Sequence, residues 1–163
     1  LAILIRNFYM KTEAIIKPAA TPSLGKKALL NIMYAQNTLA EIFSDLLKKY
    51  DLSSGQFNVL RILRDQNGTP ANMFVIQNKM IAKASNATRL VDKLLLKGLA
   101  LREVCTENRR KIDISITDKG LELLHKLDPA VVAYEEKFAN NLTPNELESL
   151  NLLIEKYIAK TLI

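Results

Sequence analysis

Two short stretches of the chain hold side chains whose types and spacing suit one kind of chemistry, the recognition of a polyanion. In "KASNATRLVDK", Ser85, Asn86, Thr88, Arg89 and Lys93 gather hydroxyl, amide, guanidinium and ammonium groups around the start of an apolar helical pattern. Donors of these kinds near a helix N-terminus are what reaches base edges and phosphates in a major groove. Arg89 is the strongest candidate of the set, and its competing role is a surface ion pair with Asp92, three residues on. In "ENRRKIDISIT", Asn108, Arg109, Arg110 and Lys111 lead into a strict alternation. Ile112, Ile114 and Ile116 fall on one side and Lys111, Asp113 and Ser115 on the other, the period of a strand with one buried face. The bland alternative for this arginine pair is a solvated surface turn.

Charge is concentrated around the same two stretches. The chain has 23 basic and 17 acidic residues, a net charge of +6. Between Lys79 and Lys111 nine basic residues stand against three acids, so this window alone accounts for the excess. A localised basic patch favours a polyanionic partner. RNA is disfavoured because the window contains no Phe, Tyr or Trp on which bases could stack. A membrane surface is disfavoured because the basic residues are interleaved with short elements and do not run along one long amphipathic helix. Double-stranded DNA is the partner that fits.

The elements that must position these residues are legible from periodicity. Lys26 to Tyr50 places Leu29, Ile32, Met33, Leu39, Ile42, Phe43, Leu46, Leu47 and Tyr50 at spacings of three and four, a long amphipathic helix. Ser53 and Gln56 have capping-box spacing, with Leu52 and Phe57 as a staple, and start a second helix from Ser54 to Asp65. A third helix is expected over Met73–Ala82 and a fourth over Ser85–Lys97. Leu90, Val91, Leu94 and Leu95 anchor the fourth, and Gly98 stops it in a left-handed conformation. Strands over Leu99–Cys105 and Arg110–Thr117 form a hairpin. Thr117 caps a fifth helix, which Pro129 should kink. "LTPNEL" repeats the capping device with Thr143 and Glu146 and opens a last helix with Leu147, Leu150, Ile154, Tyr157 and Ile158 on one face.

The fold class is therefore mainly α with a small β-hairpin, a winged helix-turn-helix whose hairpin is the wing. The stretches "LSSGQFNVLRIL", "SNATRLVDKLLLKGLALRE" and "NRRKIDISITDKG" resemble the MarR family, the multiple-antibiotic-resistance type of bacterial transcriptional regulator, over about Lys26 to Lys160. The resemblance implies N- and C-terminal dimerisation helices (26–50 and 118–163) around a DNA-binding lobe (51–117). It also implies a homodimer on a palindromic operator, the recognition helix in the major groove, and a small aromatic or phenolic effector that releases a repressor. Arg109 would then enter the minor groove, whose negative potential attracts guanidinium, while Arg110 contacts phosphate or packs across the hairpin. The sequence departs from the family pattern at two places. Asn108 stands where an aspartate usually precedes the arginine pair, and Ile81 stands where a turn glycine is common.

Dimerisation through Leu147, Leu150, Ile154, Tyr157 and Ile158 is also expected on physical grounds, because the first and last helices carry more apolar surface than a small lobe covers. One cysteine, Cys105, permits no internal disulfide and is expected to be a passive thiol, and the lone His125 a structural or solvated side chain. These point to a reducing, cytoplasmic setting. No cofactor or metal is expected, and neither clustered carboxylates nor a Gly-rich phosphate loop suggests an enzyme. The apolar run in "LAILIRNFYM" is far short of the roughly 20 residues that span a bilayer. Met10 is read as the biological start, with a short arm packed on a partner subunit as the equal alternative. The rival reading of the whole chain is a winged-helix protein-interaction module that does not bind DNA sequence-specifically.

Overall fold

The computed structural model describes residues 23–80, 86–104 and 112–159. The order is α1 (Leu24–Lys48), α2 (Ser54–Arg64), α3 (Met73–Lys79), α4 (Ala87–Leu96), β1 (Ala100–Val104), β2 (Ile112–Ile116), α5 (Asp118–Ala139) and α6 (Pro144–Ala159). The chain divides into two compact units, residues 1–46 and 47–163. The described part of the first is α1 up to Leu46, a helix that exposes Leu24, Leu29, Ile32, Met33 and Tyr34.

The second unit holds the winged helix-turn-helix. Its core is built from α2 (Phe57, Val59, Leu60, Ile62, Leu63), Ile76 of α3, Val91 and Leu94 of α4, Ile114 of β2, and Leu124 and Leu127 of α5. Most of these are fully shielded from solvent, and each such side chain contributes about 1.5–3 kcal/mol relative to exposure. The start of α2 is the capping box expected from its spacing. Gln56 N–H donates to Ser53 Oγ at 3.2 Å and Ser53 N–H to Gln56 Oε1 at 3.0 Å, which satisfies an otherwise buried amide. The α6 box forms likewise, with Thr143 N–H donating to Glu146 Oε2 at 2.8 Å. That bond holds the Glu146 carboxyl below its usual range. Because the folded pKa is lowered, its contribution is present at neutral pH and is lost as pH falls through that folded value.

Two helices are shorter than expected. The third ends at Lys79, since Met80 turns to an extended conformation (φ −70°, ψ 132°) that buries its side chain. The fourth begins at Ala87 with Asn86 as N-cap. The fifth runs through Pro129 as one element, at the cost of the hydrogen bond that position 129 cannot donate. Arg64 Nη1 grips both carboxylate oxygens of Asp128 at 2.9 Å and ties the end of α2 to α5 just before that proline.

The junction between α4, the hairpin and α5 is closely knit. Gly98 has φ +67°, and the bonds from Gly98 N–H to the Leu95 carbonyl and from Leu99 N–H to the Leu94 carbonyl complete a Schellman end. Thr117 caps α5 by accepting from Gly120 N–H at 3.1 Å while its own hydroxyl donates to the Gly98 carbonyl at 2.8 Å. At Gly120 a Cβ would lie 2.4 Å from the Leu99 carbonyl oxygen and 2.7 Å from Ile116 Cγ1. Gly120→Ala must therefore push α5 off the strands. A loss of about 3 kcal/mol, the upper range for overpacking, is expected in urea denaturation. An unchanged midpoint would show that the junction yields.

Candidate nucleic-acid interface

On α4 the buried residues Ala87, Val91 and Leu94 face the core, and Thr88, Arg89, Lys93 and Leu96 are exposed. Arg89, Lys93 and Leu96 are spaced by four and three, so they stand above one another on a single outward face. Asn86 sits at the N-cap with no side-chain capping bond, which leaves its amide available just ahead of that face. Four of the five expected recognition-helix residues are thus brought together. The fifth, Ser85, lies outside the described residues, as do Asn108, Arg109, Arg110 and Lys111 of the wing, together with Cys105 and Ile81.

The competing role for Arg89 is not realised. Asp92 is held instead by Arg102 of β1, whose Nη2 donates to Asp92 Oδ1 at 2.6 Å. Among the described residues Arg89 has no ion-pair partner.

The wing strands pair antiparallel, Ala100 with Ile116, Arg102 with Ile114 and Val104 with Ile112. Directly opposed residues share a face, so Ala100, Arg102 and Val104 lie on the side of the three isoleucines. On β2 burial along that face peaks at its middle residue and is lowest next to the tip. Ile114 is fully buried, Ile116 partly, and Ile112 is about half exposed at 47%. Ile114 also exchanges backbone bonds with Ala71 at 2.9 and 2.8 Å, which fastens β2 to the segment before α3. This third strand-like contact had no periodic signal, being one residue long.

A groove of ≈ 510 Å³ lies beside α4, between Lys93, Leu96 and Lys97 on one wall and Lys48, Leu52 and Ser53 on the other. Lys97 is anchored in it, with its Nζ 2.9 Å from Asp51 Oδ2 and bonded to the Asp51 carbonyl. Asp51 adopts φ +53° at the end of α1, so this lysine secures a turn in the left-handed region. Leu96, 88% exposed, was not singled out from sequence. The run Leu94–Leu96 has no periodicity of its own, and only the helix phase shows that its third leucine points outward.

His125 is exposed at the surface of α5, 3.8 Å from Asp128 Oδ2. Among the described residues no helix is long and apolar enough to cross a membrane.

The family model described as "MarR family" matches residues 52–112. A MarR transcription factor from Planctomyces limnophilus is 32% identical, with a TM-score of 0.65 over 83% of this chain and 98% of that one. The HTH-type transcriptional regulator MhqR of Bacillus subtilis is 25% identical over 80% of this chain and 88% of its own length. The structure of BpsR from Bordetella bronchiseptica, whose DNA binding is regulated by 6-hydroxynicotinic acid, is similar in fold. It has a TM-score of 0.73 at 19% identity, over 85% of this chain and 97% of that one.

Proposed function

The chain belongs to the MarR family of winged helix-turn-helix transcriptional regulators, and from that premise we propose that it is a homodimeric repressor that grips a palindromic operator. The observation that carries the reading is the outward face of α4. Thr88, Arg89 and Lys93 stand exposed together, and Asn86 is unengaged at the helix start. In the proposed complex Ser85, Asn86, Thr88, Arg89 and Lys93 work in the major groove, with Arg89 reading a base. Asn108, Arg109, Arg110 and Lys111 work at the wing, with Arg109 in the minor groove.

The second half of the proposal is assembly. Helix α6 contains no buried residue, and it exposes Leu150, Ile154, Tyr157 and Ile158 along one stripe that Leu147 continues. A twofold partner covering this stripe would set two recognition helices at a fixed spacing, which is what a palindrome requires. An aromatic acid or phenol is the proposed effector class, by analogy with the ligand of BpsR. The groove beside α4 sets the Lys93 ammonium next to the apolar carbon of Leu52 and Leu96, the combination such a molecule needs.

Selection from a random duplex library tests the reading. Enrichment of an inverted repeat whose half-sites are about one helical turn apart is expected. Absence of any enriched sequence, with retention of an acidic protein partner, would favour the rival interaction module.

A further inference from the structure

A DNA contact by Arg89 requires its guanidinium to be free, and the surroundings of α4 show what keeps it free. Asp92 follows Arg89 at the spacing where an acid and a base on an exposed helix pair. It is the only acid in α4. Left bare, it would both draw Arg89 back along the helix and repel phosphates approaching the same surface.

Arg102 takes it up instead. The strand register puts Arg102 opposite Ile114, on the hairpin face that carries Ala100, Val104, Ile112 and Ile116, at a point where that face is open to solvent. From β1, which packs beside α4, Arg102 reaches Asp92 at 2.6 Å, with side chains 34% and 48% exposed. The pair is partly exposed, so its effect on Arg89 comes from where it holds the carboxylate and not from the strength of the ion pair.

We propose that Arg102 is a positioning residue for DNA recognition, which sequesters the carboxylate of Asp92 so that Arg89 can extend to the duplex. Arg102 itself touches no base. The inference rests on the reading of α4 as the DNA-reading helix.

The test compares Arg102→Gln, Asp92→Asn and the double variant on the duplex selected by the wild-type protein. Arg102→Gln should weaken specific binding about tenfold, the scale of one lost base contact. Adding Asp92→Asn should bring affinity back to within about threefold of wild type, because an amide neither holds Arg89 nor repels phosphate. Asp92→Asn alone should bind within about threefold of wild type. A clamp with a purely structural role makes the opposite forecast, all three variants being equally weak with no rescue, and that result would overturn the proposal. So would wild-type affinity in Arg102→Gln. If circular dichroism shows Arg102→Gln to be unfolded, Asp92→Asn alone decides, since only a clamp predicts its loss of affinity. Wild-type protein that selects no duplex would remove the DNA reading and this inference with it, whereas wild-type binding without rescue removes this inference alone.

Discussion

Replacing Ile154 with glutamate should convert the protein to monomers at micromolar concentration and lower operator affinity by at least about a hundredfold. Ile154 lies mid-stripe on α6, four residues from Leu150 and Ile158, and is 41% exposed in the single chain. Burying such a side chain against a partner contributes about 1.5–3 kcal/mol, and a twofold interface loses that amount twice. Each new carboxylate then adds a desolvation penalty of several kcal/mol in an apolar stripe. The sum exceeds the roughly 2.7 kcal/mol that a hundredfold change in affinity represents. Because α6 contributes no buried residue to the single chain, the subunit fold should survive, with an unchanged helical circular dichroism spectrum. Leu152 supplies the control. It is 62% exposed but two positions away, on the opposite side of the helix among Glu148, Ser149 and Glu155. Leu152→Glu should leave sedimentation unchanged. A dimeric Ile154→Glu protein would move the interface off this stripe.

Features written in local spacing were the ones legible from sequence. The Ser53–Gln56 and Thr143–Glu146 boxes, the Thr117 cap and the left-handed Gly98 each depend on residues within four positions, and all four are present. What escaped depends on contacts across the chain. Met80 leaves its helix to bury itself, and no helix propensity announces that. Ala71 joins β2 as a single bridge, too short to alternate. Arg102 reads in the sequence as one more basic residue, and only the packing of β1 beside α4 brings it to the carboxylate it holds, ten positions away. For the site, the apolar anchors of α4 correctly predicted which side faces outward. Periodicity could not decide whether Arg89 would pair with Asp92, because the answer lay in β1.

Arg89→Ala and Arg109→Ala should fail in different ways, because the two side chains are assigned to different kinds of contact. Arg89 stands on the outward face of α4 without an ion-pair partner among the described residues, so its loss removes a groove contact and leaves the helix intact. If it reads a base, affinity for the preferred duplex should fall by about 1–3 kcal/mol and preference should relax at one position in each half-site. Binding to scrambled DNA should barely change. Arg109 is assigned to the minor groove, where sequence is sensed chiefly as groove width and potential, so Arg109→Ala should weaken every duplex. It should also flatten the slope of log affinity against log salt by roughly one per subunit, and therefore by about two for a dimer on a palindrome. The measurement is a salt titration of both variants on selected and scrambled duplexes. Equal losses on the two sequences for Arg89→Ala would take it out of the base-reading role. A salt slope left at the wild-type value would take Arg109 off the DNA, and unaltered binding by both variants would make the interaction module the better account of this surface.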